Sequence, residues 1–338
     1  MINLFNKRPF LIADIAFNYY EIAKKEDCSN IDAAKLMINE AKGCGIDAIN
    51  FHIGDLEQIY CSYSDDVDIT TFNENKLTVD DYAELFDYCN DLKMRFIATV
   101  YDEDIICELD EFIEIYKISS LDLTNIPFIK FLASKNKPLI LPTGAATLSE
   151  IRQVVKYIED NFSIRIALLH SILSYPTNFQ DANLLMIKDL IENFSDYDVG
   201  YCDNTKSDVN LFVLITAFNY GAIILEKYFT LDKSLKGHEF SMDSKDVRIF
   251  KKNIELLTMI NGYKNKQPLI CESNFRRNLR KSIFTKKDIK KGEILTVEHI
   301  SIGKPGDGIS PLKLDEIIGK VAVQDIPKDT MIDYGMFL

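Results

Sequence analysis

Short apolar runs alternate with longer amphipathic stretches along the chain from the N-terminus to about residue 261. This pattern is typical of parallel strands joined by crossover helices. Eight runs can be counted, and they cover residues 9–16, 47–52, 95–99, 113–118, 138–142, 164–170, 198–201 and 222–226. Eight β/α units in this length predict an α/β fold, the (β/α)8 TIM barrel.

The stretches between the runs have the periodicity of amphipathic helices. Residues 31–44 and 148–161 are two examples, and Thr147 and Ser149 are candidate N-caps of the second. A doubly wound open sheet is the structural alternative to a barrel. No glycine-rich turn of the dinucleotide-binding or P-loop kind follows any of the runs, so the barrel is favoured.

The pattern changes after residue 261. Residues 262–281 are polar and basic, which indicates an exposed linker. Short β-type runs follow at 282–285 and 321–323, together with the turn IKKGE and the loop KPGDGIS. We therefore predict a barrel over residues 1–261, a linker over 262–281 and a small, mostly β domain over 282–338.

Composition and charge exclude several classes of protein. The 338 residues are 47% hydrophobic and 27% charged, a mixture that can bury a full core, so a disordered chain is excluded. Thirty-nine basic and 52 acidic side chains leave a formal charge of −13, so nucleic acid and an anionic membrane surface would be repelled. An anionic ligand would need a local cluster of cationic side chains or N–H groups.

The cysteines and the N-terminal segment indicate the compartment. Seven scattered cysteines with no CxxC pair argue against a disulfide framework and a structural zinc site, and reduced thiols fit a cytosol. The N-terminal segment lacks the basic head and cleavage site of a signal peptide, and no apolar run is long enough to span a bilayer. The sequence predicts a soluble, cytoplasmic protein with no membrane partner.

Polar side chains stand at the C-terminal end of every predicted strand, where reactive groups gather in a TIM barrel. Such residues also cap helices and satisfy loop backbone, so one alone would mean little. In chain order they are Asp14, Asn18, Asn50, His52, Thr99, Lys117, Ser119, Ser120, Asp122, Thr143, His170, Ser171, Tyr175, Asp203, Asn204, Glu226, Lys227 and Tyr228. Gly144 follows Thr143 at the end of the fifth run.

Lys117 and His52 are the most informative of these residues. Lys117 places an ammonium at a strand end in an apolar segment, and the two hydroxyls that follow it suit an anion. A structural salt bridge from Lys117 to Asp122 or Asp14 is the alternative. Strand alternation places Asn50 and His52 on one face of their strand, opposite the phenylalanine between them.

The other three histidines give weaker signals. His170 closes an apolar run and is either a hydrogen-bonded core residue or a site residue. His238 is interpreted as a rim or surface residue, and His299 as a surface or domain-interface residue. No two histidines have HxxxH or HxH spacing, so a histidine-rich metal site is not predicted.

Several motifs resemble, in order along the chain, those of the sialic acid synthase family. They are ADIAFN, YKISSLDLTNIPFIK, KPLILPTGAATLSEI, IALLHSILSYPT, VGYCDNT, ILEKYFT and the tail KSIFTKKDIKKGEILTVEHISIGKPGDGIS. The resemblance implies a TIM barrel followed by an antifreeze-protein-like (SAF) domain. It also implies a domain-swapped homodimer in which each SAF domain covers the partner's barrel mouth.

The resemblance further implies the reaction and the residues that perform it. Members of this family condense phosphoenolpyruvate with the open-chain aldehyde of an N-acylated hexosamine, giving a nine-carbon 3-deoxy-ulosonic acid and phosphate. A divalent metal, usually manganese, polarises the aldehyde. Carried over by position, the candidates for catalysis are Asp14, Lys117, Asp122 and Tyr175. The candidates for substrate binding are Asn18, Asn50, His52, Thr99, Ser120, Asp203, Asn204, Glu226, Tyr228 and Lys304.

This chain departs from the family pattern at several of these positions. The two metal-binding histidines of the family are replaced by Asn204 and Tyr228, which are weaker ligands for manganese. Glutamate becomes Asp14 and Asp122, and an arginine of the SAF domain becomes Lys304. The KxQ pair of the family becomes Asn50 and His52, a serine becomes Pro142, an asparagine becomes Leu173 and another serine becomes Cys202.

Two questions therefore stay open at the level of sequence. Asp14, His52, Asp203 and Asn204 could form an oxygen-rich magnesium site, or a protonated side chain could serve as the electrophile. The chain could be an altered synthase, or a non-catalytic or regulatory relative that binds a sugar acid or a partner subunit. The retained polar residues at the strand ends favour the synthase, whereas the missing ligands favour the relative.

Overall fold

The computed structural model describes residues 9–54 and 75–338. The chain divides into two compact units, Met1–Ile260 and Asn261–Leu338. Residues 1–8 of the predicted barrel, and Cys61, lie outside the described residues. Within the described residues, no helix is long and apolar enough to cross a membrane.

The first unit is a closed barrel of eight parallel strands in sequential order, with β8 paired to β1, so the predicted TIM barrel is confirmed. The strands are β1 (Phe10–Asp14), β2 (Ala48–Ile53), β3 (Arg95–Val100), β4 (Ile115–Lys117), β5 (Leu139–Pro142), β6 (Ile166–Ser171), β7 (Asp198–Asp203) and β8 (Ile224–Tyr228). The predicted runs lie on these strands with shifted ends. The last run, for example, was predicted at 222–226, two residues earlier than β8.

Helices follow the strands around the barrel. They are α1 (Tyr19–Glu26), α2 (Asn30–Cys44), α3 (Val79–Asp91), α4 (Glu103–Leu109), α5 (Ile126–Ser134), α6 (Leu148–Asn161), α7 (Met186–Asn193), α8 (Phe212–Asn219) and α9 (Ser244–Asn261). Thr147, not Ser149, is the N-cap of α6, and it forms a capping box with Glu150. Ser29 caps α2, so this helix begins one residue earlier than predicted.

Strand alternation separates two apolar layers. The outward-facing residues pack against the helices, as Phe51 does. The inward-facing residues fill the lower part of the barrel with a cluster of small and branched side chains. This inner cluster contains Phe10, Ile12, Ala48, Ile97, Ile115, Ile140, Ala167, Leu169 and Ile224.

The second unit contains a small antiparallel sheet of β9 (Ser282–Thr285) and β10 (Ile300–Gly303), and its core includes Ile283, Leu295 and Ile326. The strand predicted at 321–323 is wrong, because Val321 and Ala322 form only isolated bridges.

Short helical elements complete the second unit. Helix α10 (Ser273–Leu279) lies inside the predicted linker, and α11 (Leu314–Ile317) follows β10. Every residue from 262 to 281 is exposed, so this segment contributes helical turns without contributing to a core.

Candidate active site

A layer of polar side chains lies inside the barrel, directly above the inner apolar cluster. Each of its members stands two residues after a cluster residue on the same strand, because alternate residues of a strand face the same way. The layer consists of Asp14, Asn50, Thr99, Lys117 and Glu226, and all five are buried. Sequence alternation predicts this placement, and the predicted orientation of Asn50 and His52 opposite Phe51 agrees with the structure.

Lys117 is the central cation of this layer. Its Nζ donates a hydrogen bond to Glu226 Oε1 and lies 4.0 Å from Asp14 Oδ2. Burial alone would lower the pKa of Lys117, but the attraction of Glu226 and Asp14 raises it above its ordinary value. The ammonium therefore stays charged. The sequence suggests Asp14 or Asp122 as the salt-bridge partner of Lys117. In the structure the partners are Glu226 and Asp14.

The pKa values of the two carboxylates of the layer shift in opposite directions. Burial raises the pKa of both, but His52 and Lys117 outweigh this effect at Asp14 and lower its pKa to about 2. Burial and the neighbouring Asp14 charge together raise the pKa of Glu226. Glu226 Oε2 is buried and has no hydrogen-bond partner among the described residues. Asp14 is therefore permanently ionised.

His52 connects Asp14 to a residue that the sequence analysis missed. Its Nε2 lies 3.1 Å from Asp14 Oδ2, and its Nδ1 lies 3.0 Å from the phenol oxygen of Tyr101. Tyr101 directly follows β3, so a polar aromatic residue at a strand end was the available signal. The Tyr228 ring lies 6.4 Å from the imidazole, between centroids.

Hydroxyl groups lie next to the cation. Thr99 Oγ1 donates to Asn50 Oδ1 at 2.9 Å, which leaves Asn50 Nδ2 buried without a partner among the described residues. Ser120 Oγ lies 3.0 Å from Ser171 Oγ and accepts a hydrogen bond from the backbone N–H of Gly144 at 3.2 Å. Hydroxyl and amide groups beside an ammonium are the usual contacts of a phosphate or carboxylate.

These groups open into one small cavity at the barrel mouth. Its volume is about 40 Å³, which holds a few water molecules, so a larger ligand requires side chains to move apart. Burial raises the pKa of Tyr101 and of Tyr228, so both phenols stay protonated. The lining residues are Asp14, His52, Thr99, Tyr101, Lys117, Ile118, Ser119, Ser120, Pro142, Ser171, Tyr175, Cys202, Asn204 and Tyr228.

Other candidate residues lie outside this lining. Asp122 is half-buried in the turn after β4 and accepts a hydrogen bond from Asn125. Asn18 donates hydrogen bonds to the backbone oxygen of Phe229 and to Ser241, which is a structural role.

Two further candidates are also away from the lining. Asp203 is fully buried, with one oxygen bound to Lys227 and the other to Thr205. Lys304 belongs to the second unit and is exposed.

The three histidines with weaker signals are all structural. His170 donates from Nε2 to the carbonyl oxygen of Ala182 at 2.8 Å, so its core interpretation is the right one. The interpretation of His238 as a rim or surface residue is wrong, because it is buried and bound to Thr230. The placement of His299 at the surface is also wrong, since it is buried and contacts Glu293.

The donor set at the family's metal position does not fit manganese or magnesium. Asn204 donates from Nδ2 to the carbonyl oxygen of Ile172, and the Tyr228 phenol stays protonated. Asp203 is saturated by its own neighbours, so the magnesium site that would combine it with Asp14 and Asn204 is not formed. Between residues 9–54 and 75–338, no cluster of three or more His, Cys, Asp or Glu side chains is arranged to hold a metal ion.

Comparisons with known proteins agree on one family. The NeuB family model matches residues 37–266, and the SAF domain model matches residues 280–338. A protein of Methanocaldococcus jannaschii described as uncharacterized is 34% identical over 326 residues, which cover 96% of this chain and 93% of that one. The N,N'-diacetyllegionaminic acid synthase of Campylobacter jejuni is 29% identical over 343 residues, which cover 96% and 99%. The solved structure of an N-acetylneuraminic acid synthetase from Leptospira borgpetersenii matches with a TM-score of 0.71 and 26% identity, over 80% of this chain and 90% of that one.

Proposed function

Because this chain belongs to the NeuB family of sialic acid synthase-type proteins and carries a C-terminal SAF domain, we propose that it is a phosphoenolpyruvate-dependent synthase. The second substrate is the open-chain aldehyde of an N-acylated hexosamine, and the products are a nine-carbon 3-deoxy-ulosonic acid and phosphate. The domain-swapped homodimer expected from the resemblance belongs to the same proposal.

The observation that carries this proposal is the position of Lys117. Its ammonium stands at the C-terminal end of β4, inside the barrel, with Thr99 and Ser120 lining the same cavity. A buried, permanently charged cation next to hydroxyl groups is suited to the phosphate or carboxylate of phosphoenolpyruvate. The ligand would have to replace Glu226 as the partner of this ammonium.

The reaction needs three things from the protein. The enol carbon of phosphoenolpyruvate attacks the aldehyde carbon, and the carbonyl electron pair moves to the aldehyde oxygen, which takes up a proton. Water then adds to the resulting oxocarbenium carbon and phosphate leaves. The site must therefore hold an anion, stabilise a developing oxyanion and accept the proton of water.

The remaining roles follow the positions of the residues. Asp14 is placed to act on protons, since it is ionised and lines the cavity. Contact of Asp122 and Tyr175 with substrate, and of Lys304 with the acyl group of the sugar, stay predictions. The names of two of the similar proteins, the N,N'-diacetyllegionaminic acid synthase and the N-acetylneuraminic acid synthetase, support a condensing enzyme.

One observation favours a second candidate function. Lys117 is the only ammonium among the described residues that line the cavity, and the two carboxylates of the layer already surround it. Phosphoenolpyruvate carries several negative charges, so it would meet little net positive charge here. A non-catalytic or regulatory relative that binds a sugar acid or a partner subunit fits this balance of charge.

One experiment separates the two candidates. The protein is incubated with phosphoenolpyruvate and a panel of N-acyl hexosamines, with and without Mn²⁺ and Mg²⁺, and phosphate release is followed. The synthase requires sugar-dependent release that Lys117→Ala abolishes. No release across the panel, together with no binding of phosphoenolpyruvate by calorimetry, would leave the non-catalytic relative.

A further inference from the structure

The imidazole of His52 bridges a buried carboxylate and a phenol. Asp14 comes from β1, His52 from β2, and Tyr101 directly follows β3, so three adjacent strands hold the three groups in line. The two connecting distances are 3.1 Å and 3.0 Å. All three side chains line the cavity that also contains Lys117.

The contacts of the imidazole define its proton positions. Asp14 is ionised and can only accept, so His52 Nε2 carries a proton and donates it to Asp14 Oδ2. In the neutral imidazole, Nδ1 then accepts from the phenol of Tyr101. In the imidazolium, Nδ1 donates to the phenol oxygen, and the Tyr101 proton is free to point into the cavity.

Other charged and titratable groups face this line from neighbouring strands. Lys117 on β4 approaches Asp14 from one side, and Glu226 and Tyr228 approach from β8. Phe17 packs its ring edge-on against the imidazole, with 5.7 Å between centroids. The ionised Asp14 therefore accepts the Nε2 proton of an imidazole whose orientation is held by rings on two sides.

The condensation produces an alkoxide that must be neutralised, and the donor set at the family's metal position does not fit a metal ion. We propose that Asp14, His52 and Tyr101 form a proton relay that protonates this alkoxide. This inference rests on the proposed function and names how the aldehyde is activated. Tyr101 touches the substrate, whereas His52 and Asp14 act through it and are positioning residues.

The protons balance over one cycle. As the carbon–carbon bond forms, the phenol of Tyr101 gives its proton to the aldehyde oxygen and takes one from Nδ1 of the imidazolium. His52 is then neutral and still donates to Asp14. When water adds to the oxocarbenium carbon, the proton it releases returns to Nδ1 through Tyr101. No metal, oxidant or reductant takes part.

Steady-state kinetics test the relay directly. Tyr101→Phe removes only the hydroxyl, so we expect kcat to fall by about 100-fold or more while KM for phosphoenolpyruvate changes by less than about twofold. The amide introduced by His52→Gln can donate a hydrogen bond to Asp14 but cannot take up and release a proton. We therefore expect this variant to lose kcat to the same extent and to have a kcat that does not change with pH on the acidic side. Tyr88→Phe changes a half-buried tyrosine on α3, whose hydroxyl accepts a hydrogen bond from Asn39, and as the matched control it should keep wild-type activity.

A second readout does not depend on turnover. Imidazole ¹⁵N spectra of the wild-type protein should show that the neutral form of His52 carries its proton on Nε2. Tyr101→Phe should shift the Nδ1 resonance of His52 while leaving that of His170 unchanged. If the wild-type protein is active, either of two results would overturn the relay and leave the proposed function intact. One is an unchanged kcat in Tyr101→Phe, and the other is a neutral His52 that carries its proton on Nδ1. A wild-type protein that forms no product would overturn both.

Discussion

Lys117 and Glu226 form a buried ion pair across the interior of the barrel, between β4 and β8. Within residues 9–54 and 75–338, one oxygen of Glu226 has no hydrogen-bond partner, and the pair keeps the cation in the charged state. Removing one member of such a pair leaves an uncompensated charge in a place that water does not reach. The cation that the proposed function needs is therefore also a structural element of the barrel.

Substitution of Lys117 should separate these two roles. We expect Lys117→Met to lose phosphoenolpyruvate binding and to lower the free energy of unfolding by about 3–5 kcal/mol, because Glu226 is left unpaired. The double variant Lys117→Met/Glu226→Gln should recover most of the stability in urea denaturation but none of the binding in calorimetry. Binding that persists in the double variant would contradict the assignment of Lys117 as the anion site.

The metal content can be changed by design. After dialysis against a weak chelator, we expect elemental analysis of the wild-type protein to find no tightly held manganese, since the Tyr228 phenol stays protonated and the Asn204 amide is engaged. The variant Asn204→His/Tyr228→His places imidazoles at both positions and should gain manganese. About one manganese per chain in the wild type would contradict this prediction.

Gly200 tests the packing of the barrel wall. A Cβ at this position of β7 would lie 2.4 Å from both the carbonyl oxygen of Ile224 and Cδ2 of Leu169. We expect Gly200→Ala to lower the free energy of unfolding by about 1–3 kcal/mol or more. Gly43→Ala on α2 is the matched control, because among the described residues no atom outside its own stretch of helix lies within 4 Å of the added Cβ. It should stabilise the protein by about 0.5–1 kcal/mol. Equal effects of the two substitutions in urea denaturation would be inconsistent with this packing.

His170 makes stability depend on pH. Burial lowers the pKa of His170 below its ordinary value, although the hydrogen bond to Ala182 acts the other way. Below about pH 6.5, His170 binds a proton in the unfolded chain but stays neutral in the folded protein. The free energy of unfolding therefore falls as the pH is lowered below this value.

The measurement is the difference in unfolding free energy between about pH 7.5 and pH 5.5. We expect this difference to be smaller in His170→Gln than in the wild type. The contribution of His238, whose pKa is also lowered by burial, remains in both proteins. Equal differences in the two proteins would show that His170 does not titrate in this way.

The sequence pattern predicts the barrel well because alternation and strand spacing are local properties. It also predicts that Asn50 and His52 share one face of their strand, opposite Phe51, since alternate residues of a strand face the same way. The polar residues at strand ends include Lys117, which lines the cavity at the barrel mouth. The hydroxyl partners Thr99 and Ser120 follow from the same argument.

Other features depend on contacts between distant segments, which the pattern does not contain. Glu226 becomes the partner of Lys117 only because β4 and β8 face each other across the closed barrel. The burial of His238 and His299 depends on how their loops fold back. Tyr101 was missed because it lies two residues beyond the predicted run 95–99, where Thr99 was taken as the polar residue of the strand end.

The most direct test of the proposed condensation is a reaction in ¹⁸O-labelled water, analysed by mass spectrometry. The wild-type protein should convert phosphoenolpyruvate and an N-acyl hexosamine into a nine-carbon 3-deoxy-ulosonic acid, and the released phosphate should carry no label, because water adds to carbon. Labelled phosphate without the new acid, as simple hydrolysis at phosphorus would give, or no product with any sugar of the panel, would contradict the proposed function.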